Sequence, residues 1–166
     1  MKNSHKIALT ISSLSMLILG TQAVTAASVD GDASATVVSG IAISQNTALS
    51  FGNFAAGTGG TVVIGTDGAR SQTGAVSLST VDAGSQGIFD VTGEGNATFA
   101  ITLPANATLT SGANTMTVDT FTSDPSGTGT LSSGSASINV GATLTVADSQ
   151  AAGSYSGTYT VSVDYN

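Results

Sequence analysis

The chain has 166 residues, 21 of them glycine and none of them cysteine or tryptophan, and ten acidic against three basic side chains give it a formal charge of −7. Such a surface repels nucleic acid and anionic lipid, both of which need clustered Lys or Arg. Without cysteine there is no disulfide framework and no thiol chemistry.

Lys2, His5 and Lys6 form a short basic region ahead of an apolar stretch from Ile7 to Gly20, and Val24-Thr25-Ala26 follows with small residues. This pattern predicts a signal peptide over residues 1–26, cleaved after Ala26, because the apolar run is too short and too interrupted by serine to span a bilayer. Its removal takes away Lys2, Lys6 and the single histidine, and moves the formal charge from −7 to −9 with Arg70 as the sole basic side chain. A chain of about 140 residues exported to the periplasm or cell surface of a Gram-negative bacterium is expected, with no membrane insertion after processing.

The rest reads as strand after strand. Ala35 to Ser44 (ATVVSGIAIS) is β-branched and apolar and predicts a first strand, broken at Gln45-Asn46. Ala48 to Phe54 is short and apolar, and Thr61 to Gly65 is an aliphatic run closed by Asp67-Gly68. Ala75 to Thr80 alternates. Gly87 to Thr92 and Ala97 to Leu103 flank Gly93-Glu94-Gly95-Asn96, a spacing that predicts a hairpin. Asn114 to Thr122 alternates before the turn signal Asp124-Pro125-Ser126-Gly127, and Ser135 to Val146 and Thr158 to Tyr165 complete the set. No stretch keeps a 3.6-residue apolar period for the roughly eleven residues that a helix requires. The expectation is one all-β domain over residues 27–166, an antiparallel β-sandwich whose core holds Phe51, Phe54, Phe89, Phe99 and Phe121.

The C-terminal segment Gly153–Asn166 (GSYSGTYTVSVDYN) is the most regular. Tyr155, Tyr159, Val161, Val163 and Tyr165 recur at every second position, with Gly157 in step and polar residues between. That period marks a half-buried strand used for pairing, within its own sheet or with another chain. Val37, Ile41 and Ile43 share one face in the same way near the front of the chain.

Chemistry is sparse. The processed chain would have no imidazole base, thiol nucleophile or amine for a Schiff base, and no His or Cys for zinc or copper. The acids stand singly beside glycine or proline, as in Asp67-Gly68, Asp82-Ala83-Gly84 and Asp124-Pro125, where turn formation accounts for them. No enzyme and no cofactor are expected; an acid-pair hydrolase would need two carboxylates about 5–10 Å apart in a cleft. Asp30-Gly31-Asp32 offers two carboxylates suited to calcium, but a solvated acidic stretch is the preferred reading and no metal site is expected. Asn96-Ala97-Thr98 and Asn106-Ala107-Thr108 match the glycosylation acceptor pattern at a frequency that chance supplies in a threonine-rich chain.

The stretch from Ala35 through Ile43, the run Leu49-Ser50-Phe51-Gly52-Asn53-Phe54 and the terminal strand resemble, in that order, bacterial fimbrial subunits of the chaperone–usher pathway and the spore-coat-U-like group. Gly153, Val161, Val163 and Tyr165 match their C-terminal pattern of a glycine, alternating apolar residues and a penultimate tyrosine. Val140 to Val146 (VGATLTV) and the final alternating strand also resemble a domain-of-unknown-function family of secreted proteobacterial proteins. The resemblance implies an immunoglobulin-like, pilin-like sandwich that accepts a strand from a periplasmic chaperone or from the next subunit. Gly153, Tyr155, Tyr159, Val161, Val163 and Tyr165 would then serve assembly, with residues 27–34 or 27–44 as donor and Val37, Ile41 and Ile43 as its apolar face. The alternative is a monomeric secreted module that binds glycan or protein with a complete sandwich.

Overall fold

The computed structural model describes residues 25–166; the signal peptide expected over residues 1–26 falls outside them up to residue 24. The described residues fall into two units, divided between Thr36 and Val37. Residues 25–36 of the first are exposed and carry no regular element, and every strand among the described residues belongs to the second.

Twelve strands follow one another: β1 (Ala42–Thr47), β2 (Phe54–Ala55), β3 (Gly60–Ile64), β4 (Arg70–Gly74), β5 (Ser77–Leu78), β6 (Gly87–Thr92), β7 (Thr98–Thr102), β8 (Asn106–Ser111), β9 (Asn114–Asp124), β10 (Thr128–Thr130), β11 (Ser135–Val146) and β12 (Ser162–Tyr165). The fold is all-β and antiparallel. A seven-stranded sheet runs β1-β6-β11-β3-β4, with β9 also paired to β11 and β8 to β9, and it curls as a half-barrel. A three-stranded sheet β10-β7-β12 and the short pair β2-β5 complete the structure.

β11 organises the large sheet. Ser135–Val140 pairs with β6, Ala142–Val146 with β3, and Asn139–Thr145 with β9. Residues paired twice must use both edges, so β6 and β3 lie end to end along one edge and β9 takes the other. The inward face of β11 is Ile138, Val140, Ala142, Leu144 and Val146, all buried, in keeping with a two-residue period. Ile138 and Val140 join one apolar cluster with Phe89, Val91, Phe99, Ile101, Leu131 and Val161. Ala142, Leu144 and Val146 join a second, with Phe51, Val62, Ile64, Val76, Met116 and Val118. Phe54 and Phe121 are partly buried against these clusters.

The solvent face of the large sheet is hydroxylic. The register places Thr73, Thr61, Thr145, Thr117 and Thr108 in one row across β4, β3, β11, β9 and β8, and the Thr61 and Thr73 hydroxyls are 2.8 Å apart. Directly opposed threonines contribute about 0.2–1 kcal/mol per pair, which suits an outer face built from β-branched polar residues.

Several expected elements differ. The first strand begins at Ala42, not Ala35, because its partner β6 ends at Thr92, opposite Ala42, and the backbone of Gly93 turns away to Gly134. Gln45 and Asn46 do not break it. A bulge between Gln45 and Thr47 absorbs one residue, and the Asn46 amide donates to the Asp90 carboxylate at 2.8 Å. The expected hairpin over Gly93–Asn96 is absent: Val91 already pairs with Ile43 and with Ala136, so β6 has no free edge and the loop carries β7 into the other sheet. Strands β4, β8 and β10, poor in aliphatic residues, had no clear signal in the sequence.

Gly141 stands where β6 gives way to β3. A Cβ there would collide with the Ile64 carbonyl oxygen and the adjoining Gly65 backbone. Gly141→Ala should therefore lower stability by about 1–3 kcal/mol, the usual cost of overpacking, as read from the urea midpoint of the purified protein.

Candidate functional site

The terminal segment runs from a bridge to β8 into the three-stranded sheet. Gly153 is exposed beside Ser111, and Gln150 donates to the Tyr155 hydroxyl, which donates in turn to the Ala151 carbonyl, both at 2.8 Å. Ser156 then bridges Thr110 of β8 by two backbone bonds of 2.8 and 3.0 Å. At Gly157 any Cβ would strike the Thr108 carbonyl, so glycine is what allows the segment to lie this close to β8. The ladder of β12 starts only at Ser162, where Val163 faces Ile101 and Tyr165 faces Phe99. The strand expected from Thr158 is thus shorter, although its inward alternation holds from Tyr159 to Tyr165, with Tyr155 half-buried and Gly157 exposed.

Ile41, Ile43, Tyr159, Val161, Val163 and Tyr165 come together around one apolar cluster, and Tyr155 packs on the other. Val37 stands apart at 96% exposure, as does Val29 at 94%. The expected shared face of Val37, Ile41 and Ile43 is not formed, because residues before Ala42 have no ladder to hold them in strand register. The Tyr165 hydroxyl ties the two ends: it accepts from the Glu94 amide at 2.6 Å and donates to the Ser39 carbonyl at 2.9 Å.

Beside this segment lies a groove of about 770 Å³. Its floor is apolar, with Leu109, Met116, Val118, Phe121 and Leu144; one wall is residues 49–56 and the other residues 150–159. The first wall is held by Ser50 and Ser85, which exchange backbone bonds of 2.9 Å, by Asn53 donating to the Asp82 carbonyl at 3.2 Å, and by the β2-β5 pair. Arg70 reaches the same wall from β4. Its Nη1 donates to the carbonyls of Phe51 (2.9 Å), Asp82 (2.9 Å) and Asn53 (3.3 Å), and its Nη2 to that of Ser79. The sequence drew attention to Arg70 as a lone cation but gave no sign of these partners.

Of the predicted assembly residues, only Tyr155 and Tyr159, with Gly153, line the groove. Tyr159 packs edge-on to Phe89 (centroids 6.0 Å, 83°) and tilted against Phe121 (5.2 Å). Such aromatic pairs add about 0.5–1.5 kcal/mol beyond area burial. Its hydroxyl is buried without a hydrogen-bond partner among the described residues.

The carboxylates do not converge. Among the described residues no three His, Cys, Asp or Glu side chains gather to hold a metal, and Asp30 and Asp32 lie in the exposed segment 25–36. Asp82 is the one acid lining the groove.

A family profile described as a domain of unknown function, DUF4402, matches residues 41–165. The chain belongs to the DUF4402 family. The matched stretch begins next to β1 and ends with β12, so the DUF4402 domain coincides with the twelve-stranded body and leaves Val29 and Val37 ahead of it. No curated protein and no solved structure matches the chain.

Burial pushes the Tyr159 hydroxyl up from its ordinary value near 10 to about 12. The unfolded chain releases this proton first, so stability should hold below pH 10 and fall as pH rises toward 12. Tyr159→Phe removes an unpaired buried hydroxyl and leaves the ring, and should match or exceed the wild-type melting temperature at neutral pH. The same variant should lose less stability between pH 10 and 12, by thermal melts followed through circular dichroism.

Proposed function

We propose that this protein is a secreted structural and adhesive subunit of the Gram-negative cell surface, with an immunoglobulin-like, pilin-like β-sandwich, that builds fimbria-like filaments by β-strand addition. The observation that carries this reading is the open groove. The three-stranded sheet covers one apolar cluster with continuous ladders, whereas over the other the two-residue β2-β5 pair and irregular segments flank a groove above the buried Met116, Val118 and Leu144. An extended chain entering there would place alternate side chains on that floor, the geometry by which strand addition obtains its register.

The donor is the N-terminal segment of another copy. Val29 and Val37 are almost fully exposed, and each would contribute about 1.5–3 kcal/mol on complete burial. Donor and acceptor are different surfaces, so the contact is head-to-tail and open-ended, as a filament requires. A periplasmic chaperone would hold the groove until assembly. The reading involves no catalytic step or cofactor, and the acidic charge disfavours nucleic acid.

One observation favours a second reading, a monomeric binding module. β12 pairs with β7 inside its own chain, so the terminal strand is already used, and the groove would then take a linear segment or glycan of a different molecule.

Negative-stain electron microscopy with an unboiled SDS gel separates the two. Filaments and a detergent-resistant ladder are expected, and a single monodisperse species would support the monomeric module instead. Val37→Asp should keep the melting temperature, because surface changes stay within about 0.5 kcal/mol, yet abolish the ladder. A normal ladder from that variant would remove Val37 from the donor.

A further inference from the structure

We infer that Arg70 is the positioning residue of the groove: its guanidinium fixes the wall formed by residues 49–56, and through that wall controls what the groove admits. This inference rests on the groove being a docking site, as proposed above.

Four backbone carbonyls, from Phe51, Asn53, Ser79 and Asp82, converge on one side chain. They belong to two segments joined by the β2-β5 pairs Phe54 with Leu78 and Ala55 with Ser77, and by backbone bonds of Ser50 with Ser85 and of Asn53 with Asp82 and Ser79. These bonds join the two segments to each other, and the planar fork of donors adds a tie from both to β4. Its source is rigid, since Arg70 begins β4 opposite Ile64, whose side chain is 1% exposed in the core. The guanidinium therefore ties the wall to the large sheet.

The wall is shaped around this group. Gly52 has φ of +66°, and a Cβ there would meet Arg70 Nη1 and come within 2.6 Å of the Gly84 amide nitrogen. Glycine at this position lets the backbone close over the guanidinium, as its freedom at positive φ permits. The carbonyls of Phe51, Asn53 and Asp82 all come from residues that line the groove, so the constraint acts on the site itself. A preformed wall spares the ordering cost of docking, which is how a residue that never touches the ligand governs affinity.

The test uses the full processed chain with Arg70→Met, which retains length and apolar bulk, and Arg70→Lys, which keeps the charge but not the fork. Two readouts are taken at a temperature where circular dichroism shows every variant folded. In hydrogen exchange, the amides of Ser50, Asn53, Ser79 and Ser85 should lose protection in Arg70→Met while those of β11 keep theirs. Unchanged protection at the four amides, or equal loss in β11, would overturn the positioning role. In fluorescence anisotropy with a labelled peptide of residues 27–44, Arg70→Met should bind roughly tenfold more weakly, with Arg70→Lys between it and wild type. Equal affinity for all three would overturn control of docking. If the wild-type protein binds no peptide, the strand-addition reading fails, and the exchange pattern alone decides whether Arg70 holds the wall.

Discussion

Hydrogen bonding along both edges of β11 is the constraint on which this structure depends. Its twelve residues meet β6 over Ser135–Val140 and β3 over Ala142–Val146 on one side, and β9 over Asn139–Thr145 on the other. A strand so enclosed cannot slip by one residue without turning Ile138, Val140, Ala142, Leu144 and Val146 toward solvent. Gly141 makes the junction possible, because the end of β3 approaches its backbone too closely for any side chain. The bulge of β9 opposite Gly141 and Thr143 lies at the same place. Both apolar clusters therefore draw on one strand, and their separation follows from the change of neighbour along it.

The second layer is unequal, and the inequality defines the candidate site. Over Ile138 and Val140 it is a sheet, β10-β7-β12, whose ladders satisfy the backbone. Over Leu144, Met116 and Val118 it is two stretches held by the short β2-β5 pair and by isolated bonds: Ser50 with Ser85, Ser156 with Thr110, and the carbonyls gathered by Arg70. With no cysteine to staple these stretches, a single guanidinium and short pairings do that work. The space left between them is an apolar-floored groove, the feature from which the proposed strand addition starts.

The terminal segment links the two halves. It begins against β8, passes the groove at Tyr155 and Tyr159, and ends in the sheet at Tyr165, whose hydroxyl reaches Ser39 where the chain enters the DUF4402 domain. Entry and exit of the domain are thus fixed at one point, and the exposed valines lie beyond it. In the proposed reading, this leaves the preceding segment available to a neighbour without disturbing the body that bears it.

What the sequence determined by itself was the kind of structure and its strongest elements. The strand signals over Gly87–Thr92, Asn114–Thr122 and Ser135–Val146 are local properties, and β6, β9 and β11 cover those positions, with β9 running two residues further to Asp124. The inward alternation of Tyr155, Tyr159, Val161, Val163 and Tyr165 was legible for the same reason. Pairing was not. Whether Gly93–Asn96 closes a hairpin depends on whether β6 has a free edge, and that is decided by β1 and β11, which are distant in the chain. Val37 looks like a strand residue and is not one, because strand structure needs a partner at that register. The groove and the partners of Arg70 likewise belong to tertiary structure alone: carbonyls at 51, 53, 79 and 82 carry no residue-specific signal, and only the folded chain brings them to one guanidinium.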